Sequence, residues 1–181
     1  MRVGCDRVIT YTLPMAATDL DLELLATRVG RHLLQQRRRV ATAESCTGGW
    51  ISKVLTDIAG SSDWFAEGFV TYSNEAKHLR LEVPKQVLLR HGAVSRAVVI
   101  AMARGALRRA KTNVAIAVTG IAGPGGAVPG KPVGTVWLGW ATQTGRQVNV
   151  TVVRKHFRGG REAVRRKTVR VALEGLLKLK G

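Results

Sequence analysis

A hydroxyl and a thiol stand side by side where a short apolar run ends. The run, Val40–Ala43, is typical of a buried strand; Ser45 and Cys46 follow it, then two glycines, and a helical pattern begins near Trp50. A side chain placed just before a helix lies beside backbone N–H groups that have no intrahelical partner. This layout predicts a covalent catalyst with Ser45 as its nucleophile.

A serine nucleophile needs a base to take its proton. None of the four histidines lies in a stretch typical of a triad partner. Lys77, in GFVTYSNEAK, can replace histidine if burial and neighbouring positive charge lower its pKa from about 10.4 toward roughly 7 to 8. Tyr72 in the same segment can relay the proton or fix the amine. Taken singly, Tyr72 is also explained as a half-buried strand aromatic and Lys77 as a solvated helix residue.

Backbone amides at the start of the helix are predicted to stabilise the reaction's oxyanion. The amides of Cys46, Thr47 and Gly48 are the candidates, and one such donor is typically worth about 2.7 to 4 kcal/mol. Two alternatives remain open. Ser45 or Thr47 can be a simple helix N-cap. Cys46 can be the nucleophile instead, because Glu, Lys and Cys are the residue types of nitrilase-like amidases.

A glycine- and proline-rich loop from Thr119 to Lys131 follows another buried strand. Gly125–Lys131 spells G-x-x-x-x-G-K, but Pro132 stands where a P-loop needs Ser or Thr, and a strand follows instead of a helix. ATP hydrolysis is therefore not expected. The loop still offers backbone N–H groups to a phosphate, with Lys131 adding a charge. The alternative is a flexible surface turn.

Hydrophobic periodicity predicts helices that alternate with strands. Helices are predicted after an N-cap at Thr18-Asp19, over 49–59, over 74–81 with Asn74 as cap, up to residue 91, over 95–111 and over 161–180; strands are predicted over 40–43, 67–73, 113–118, 134–142 and 147–156. The last two strands form an antiparallel hairpin. The pattern predicts a three-layer α/β/α sandwich with a mixed, mostly parallel sheet. The marked segments should meet where loops leave the carboxyl ends of its strands.

Length and composition favour one compact domain. A chain of 181 residues with 45% hydrophobic content can bury one sizeable core. We expect a disordered extension over 1–17 and a single domain over 18–181, with either Met1 or Met15 as the native start. Two cysteines favour a reducing, cytoplasmic location without disulfides, and no apolar stretch approaches the roughly 20 residues that span a bilayer.

The formal net charge of +17 makes nucleic acid an obvious candidate partner. The basic residues are spread, however, and many lie near predicted helix C-termini, where they complement the helix dipole. No helix-turn-helix, metal finger or aromatic-studded sheet motif is present. We interpret the charge as solvated helix faces and steering of a phosphate-bearing ligand. The alternative is a basic nucleic-acid-associated or competence-linked protein with the same fold and no turnover.

Five segments occur in an order typical of one family: AESCTGG, GFVTYSNEAK, HGAVS, TGIAGPGG and KPVGTVW. Over about residues 19–178 the chain resembles the amidohydrolase module of the CinA/PncC family. The resemblance implies a deamidase, free of metal and cofactor, that converts nicotinamide mononucleotide to nicotinic acid mononucleotide and ammonia in pyridine nucleotide recycling to NAD. It implies Ser45 as nucleophile, with Tyr72 and Lys77 completing the site.

The predicted substrate-binding residues come from the same segments. They are Glu44, Gly49, Asn74, Thr119, Gly120, Ala122, Gly123 and Lys131. Glu44 has a second interpretation, a cap on the turn. The chain departs from many relatives at Ala127–Gly130, where another glycine and an acidic spacer are usual, so the contacts of that loop stay open. We expect a homodimer or higher homo-oligomer.

Overall fold

The computed structural model describes residues 17–179 and contains one five-stranded sheet. Its strands are β1 (Val40–Glu44), β2 (Phe65–Val70), β3 (Val114–Gly120), β4 (Thr135–Thr144) and β5 (Gln147–His156), in the order β2-β1-β3-β4-β5. β1 pairs in parallel with β2 and β3, whereas the β3–β4 and β4–β5 pairings are antiparallel. Only β4 therefore opposes the common strand direction, and the predicted mixed, mostly parallel sheet is confirmed.

Six helices cover the two faces of the sheet. They are α1 (Asp19–Gln35), α2 (Trp50–Thr56), α3 (Asn74–Leu81), α4 (Lys85–His91), α5 (Arg96–Arg109) and α6 (Arg161–Leu176). α1, α2 and α6 share one hydrophobic cluster, and α3, α4 and α5 share the other. The central strand β3, Val-Ala-Ile-Ala-Val, turns its larger side chains to the first cluster and its alanines to the second. The alternation lets α5 pack closely on the sheet.

The ends of several elements differ from the predicted ones. Thr18 caps α1 in a capping box with Asp21, as expected. Asn74, by contrast, is the first residue of α3 and not its cap, because the Ser73 hydroxyl accepts the hydrogen bond from the Ala76 amide. β2 ends at Val70, and α6 ends at Leu176. Tyr72 therefore lies in the β2–α3 connection, not on the strand.

The predicted N-terminal extension lies outside the described residues apart from Ala17. That residue is buried, and its carbonyl accepts a hydrogen bond from the Arg166 guanidinium. Among the helices of residues 17–179, none combines the length and the apolar composition that crossing a bilayer requires.

α5 packs against α3 at a glycine, Gly105. A methyl group at Gly105 would overlap the carbonyl of Leu81, the last residue of α3. Glycine at this position therefore sets the distance between the two helices. Lys77 lies one turn before Leu81 on the same helix.

We expect Gly105→Ala to lower the free energy of unfolding by about 1 to 3 kcal/mol, the usual cost of overpacking. Without the contact, the same change inside a helix would raise stability by roughly 0.5 to 1 kcal/mol. Urea denaturation measures the difference, with Arg104→Ala on the exposed side of the same helix as control. A Gly105→Ala protein as stable as the wild type would show that the two helices can move apart at no cost.

Candidate active site

Ser45 occupies the sharp turn between β1 and α2. Its amide donates to the Val118 carbonyl at 3.1 Å, which ties the turn to the neighbouring strand β3. Gly48 and Gly49 follow with φ of 61° and 94°, a left-handed conformation that glycine adopts without steric cost. The turn therefore holds the Ser45 hydroxyl at the carboxyl end of the sheet.

Lys77 on α3 reaches this hydroxyl across 32 positions of sequence. Its Nζ donates to Ser45 Oγ at 3.0 Å and to the carbonyls of Thr71 and Tyr72 at 2.8 and 3.0 Å. Only 1% of Lys77 is exposed. Because burial disfavours the ammonium form, the pKa of Lys77 falls to about 8.

These three contacts suit a base as well as an ammonium group. Two N–H groups of a neutral amine can stay on the Thr71 and Tyr72 carbonyls, and its lone pair then points at the hydrogen of Ser45 Oγ. The backbone between β2 and α3 thus orients Lys77. The lowered pKa makes the neutral form accessible near neutral pH.

The Tyr72 hydroxyl lies apart from this contact. The side chain is 62% exposed, and its oxygen accepts a hydrogen bond of 3.1 Å from the Arg161 guanidinium. It is the Tyr72 carbonyl that fixes the Lys77 amine. The ring still lines the cavity in front of Ser45, so its side chain is placed to contact a substrate.

Glu44 does not face the substrate cavity. The residue is fully buried, and its carboxylate accepts hydrogen bonds of 2.8 to 3.1 Å from the amides of Gly49, Ile51 and Ser52 and one of 2.7 Å from the Ser52 hydroxyl. The structure therefore does not support the predicted substrate contacts of Glu44 and Gly49, because the Glu44 carboxylate and the Gly49 amide bind each other. Glu44 caps α2, which is the second interpretation of this residue, and its carboxylate occupies the backbone amides at the helix start.

The predicted oxyanion hole is smaller in the structure. The Gly48 amide donates to the Ser45 carbonyl at 3.1 Å, so it is not free to donate to an oxyanion. Within residues 17–179, the amides of Cys46 and Thr47 donate to no backbone carbonyl, although the Cys46 amide also interacts with its own thiol. These two amides therefore remain as candidate oxyanion donors.

Cys46 is buried beside Ser45 and lines the same cavity. Desolvation raises the pKa of its thiol to about 12, so the thiol stays protonated at neutral pH. This disfavours the nitrilase-like alternative, because the thiolate is the attacking species in such a mechanism.

A cavity of about 260 Å³ opens in front of Ser45 and Lys77. Thr119 and Gly120, at the end of β3, and Ala122 and Gly123, which follow it, line this cavity; their contact with a substrate stays a prediction. The Thr119 hydroxyl donates to the Ala93 carbonyl at 2.9 Å, so this side chain fixes the wall to the HGAVS segment.

Two other predicted substrate contacts lie elsewhere. Lys131 and Asn74 are not among the residues that line the cavity. Lys131 instead donates to the His91 carbonyl at 3.0 Å. The Ala127–Gly130 departure falls in a tight turn closed by the Val128–Lys131 backbone pairing, also outside the cavity wall. Contacts of this segment with a substrate are therefore not supported.

Residues 22–180 match the family described as the CinA C-terminal domain. The chain belongs to this family. It is 51% identical over 159 residues to the nicotinamide-nucleotide amidohydrolase PncC of Escherichia coli K12, covering 88% of this chain and 94% of that one. The protein of the same name from Pseudomonas putida is 52% identical, covering 86% of this chain and 94% of that one.

Solved structures of the family share the fold. A CinA superfamily protein from Klebsiella pneumoniae superposes with a TM-score of 0.82 at 40% identity, covering 87% of this chain and 96% of that one. The competence/damage inducible protein CihA from Agrobacterium tumefaciens gives 0.82 at 45%, covering 91% of this chain and 98% of that one. The predicted family and fold class are confirmed.

Outside the predicted loop 119–131, three described residues that line the cavity of this CinA family member were not predicted from the sequence. Ala93 and Val94 belong to the HGAVS segment, which served only to recognise the family. Arg161 is the first residue of α6. The sequence analysis interpreted it only as one of the many basic residues on solvated helix faces. The glycine pair before Arg161 was the only local signal. In the described part of the chain, no three His, Cys, Asp or Glu side chains are grouped as a metal site.

Proposed function

We propose that this protein hydrolyses the carboxamide of nicotinamide mononucleotide to nicotinic acid mononucleotide and ammonia. The observation that carries the proposal is the 3.0 Å contact between buried Lys77 and Ser45 at the floor of a cavity. The relatives named nicotinamide-nucleotide amidohydrolase, at about half identity, support the choice of substrate. The product can re-enter pyridine nucleotide recycling to NAD.

The first chemical step is attack of serine on the amide. Neutral Lys77 takes the proton of Ser45 as Oγ bonds to the carboxamide carbon, which gives a tetrahedral intermediate and an ammonium group on Lys77. The amides of Cys46 and Thr47 are placed to donate to the developing oxyanion. No metal or cofactor takes part in this proposal.

The second step releases ammonia, and the third restores the enzyme. The Lys77 ammonium gives its proton to the leaving nitrogen, so that the C–N bond breaks and an ester to Ser45 remains. Water then attacks the ester while Lys77 takes a proton from it. Lys77 returns this proton to Ser45 Oγ as the ester C–O bond breaks, and the carboxylate product leaves.

Tyr72 has a supporting role in this proposal. Its carbonyl orients the Lys77 amine, and its exposed ring and hydroxyl border the substrate cavity. Proton relay through the hydroxyl is not needed, because Lys77 contacts Ser45 directly.

The nucleic-acid alternative gains little from the structure. Several basic side chains on the helices form ion pairs: Arg108 with Glu82, Arg166 with Asp19 and Glu162, Arg170 with Glu174, and Lys53 with Asp57. Binding of nucleic acid alone does not require a buried serine–lysine pair. A cytoplasmic location and a homodimer or higher homo-oligomer stay predictions.

An assay of ammonia and nicotinic acid mononucleotide tests the proposal. The two products should appear in equal amounts from nicotinamide mononucleotide, and added chelators should not change the rate. Nucleic-acid binding without release of ammonia would favour the alternative.

A separate prediction concerns the phosphate of the substrate. Nicotinamide riboside and free nicotinamide should be turned over at least about tenfold less efficiently than the mononucleotide, because phosphate binding helps to position the amide. The preference should shrink as salt rises, since exposed charges are screened. The measurement is kcat/KM for the three substrates at low and high salt. Equal values for all three would show that this protein does not recognise the phosphate.

A further inference from the structure

Two guanidinium groups beside the cavity have no carboxylate partner within the described part of the chain. Among residues 17–179, the recorded acceptors of Arg161 are the Gly123 carbonyl and the Tyr72 hydroxyl, and that of Arg165 is the Thr47 carbonyl, at 2.7 to 3.1 Å. Neutral acceptors fix the position of a guanidinium but leave its positive charge uncompensated. The ion-paired arginines of the same helix, Arg166 and Arg170, differ in this respect.

The two groups lie between the cavity and a second depression. Arg161 lines both the cavity of Ser45 and a groove of about 800 Å³ beside it. Arg165, one turn later on α6, also lines the groove, beside Gly49 and Trp50. The groove's two carboxylates, Asp19 and Glu162, pair with Arg166. Side chains four residues apart share one face of a helix. The uncompensated charges therefore form one positive wall that leads out of the cavity.

Arg165 is held rigidly in this wall. Its guanidinium lies over the Trp50 ring, 5.2 Å from the centroid, and donates to the Thr47 carbonyl, two residues after the nucleophile. A fixed planar guanidinium loses little entropy when it binds a phosphate, and it can present two N–H groups to the phosphate oxygens.

Two other features near the cavity, the start of α2 and the predicted phosphate contact Lys131, are less suitable for a phosphate. Glu44 fills the start of α2 with its own negative charge, and Lys131 is bound to the His91 carbonyl outside the cavity wall. Among residues 17–179, the basic side chains that line the cavity are Lys77 and Arg161, and Lys77 is engaged with Ser45. The positive wall is thus the better candidate for a phosphate.

We infer that Arg161 and Arg165 bind the phosphate monoester of the substrate where the cavity meets the groove, so that the nucleotide lies with its carboxamide at Ser45 and its phosphate against α6. This inference rests on the proposed function and adds the specificity-determining residues. It also gives part of the +17 charge a specific role.

The test compares two substrates in matched variants. The ratio of kcat/KM for nicotinamide mononucleotide to that for nicotinamide riboside should fall about 10- to 100-fold in Arg165→Gln, the range for loss of a hydrogen bond to a charged group. Arg165→Lys, which keeps the charge but not the planar fork, should fall between this variant and the wild type. Arg170→Gln, one turn further along α6 and paired with Glu174, is the control and should keep the wild-type ratio.

The ratio separates recognition from a structural effect. If Arg165 merely supports the Thr47 turn, Arg165→Gln slows both substrates together and leaves the ratio unchanged, which overturns the inference. A wild-type enzyme that turns over both substrates equally also overturns it, while the proposed function stands. Release of ammonia from neither substrate contradicts the proposed function itself.

Discussion

Replacing Ser45 with alanine should lower deamidation of nicotinamide mononucleotide by at least about 10³-fold, because removal of a serine nucleophile leaves only the catalysis that binding and oxyanion contacts supply. The fold should persist. The hydroxyl accepts one hydrogen bond from Lys77, and a typical hydrogen bond contributes about 1 kcal/mol to stability. Ammonia release measures the first effect, and thermal unfolding measures the second.

The neighbouring cysteine supplies the control for this variant. Cys46→Ala removes a buried thiol whose raised pKa keeps it protonated, so most of the activity should remain. The opposite pattern, an inactive cysteine variant and an active serine variant, would replace the serine mechanism with thiolate attack.

Activity should rise with pH through an apparent pKa of about 8, the value for Lys77. The lysine must be neutral to accept the Ser45 proton, and the neutral fraction grows as pH passes the pKa. Between pH 7 and pH 9 that fraction increases about tenfold, and kcat/KM should follow it. Rates are measured at constant ionic strength, with unfolding monitored over the same range.

Lys77→Arg is the decisive variant for this prediction. Arginine stays protonated throughout the range, so activity should fall about 10²- to 10⁴-fold and should not recover at high pH. Lys77→Met, uncharged and of similar length, separates loss of the base from burial of a permanent charge. It should be equally inactive but better folded than Lys77→Arg. A flat pH profile in the wild type, or an active Lys77→Arg enzyme, would exclude lysine as the base.

Local patterns in the sequence were enough for the elements and for the central pair of the candidate site. The switch from helical spacing to short β-branched runs located the strands and helices to within a few residues at most ends. It also placed Ser45 and Lys77 at joints that leave neighbouring parallel strands. Such joints meet at one edge of a sheet whatever the remaining side chains do.

The direction in which a side chain points could not be predicted from these local sequence patterns. Glu44 belongs to a residue type that can hold a ribose or cap a helix, and only the path of α2 decides that its carboxylate meets three backbone amides. Lys131 was assigned to the loop that borders the cavity, yet the turn at 128–131 directs its amine to His91. A long side chain takes the acceptor that packing brings near, and packing depends on distant segments.

The sequence by itself therefore determined the layered α/β fold, which follows from periodicity, and the family, which the five ordered motifs indicate. It also predicted the serine–lysine chemistry, from the residue types at strand ends. The tertiary structure decided how deeply Lys77 is buried and which charges stay uncompensated. Burial lowers the pKa of Lys77, and the fold creates that burial by bringing the amine beside Ser45 and the Thr71 carbonyl. Arg161 reaches Tyr72 across 89 positions of sequence. The desolvation of a group and the balance of charge around it depend on all the residues near it. Most of those residues are brought together only when the chain folds.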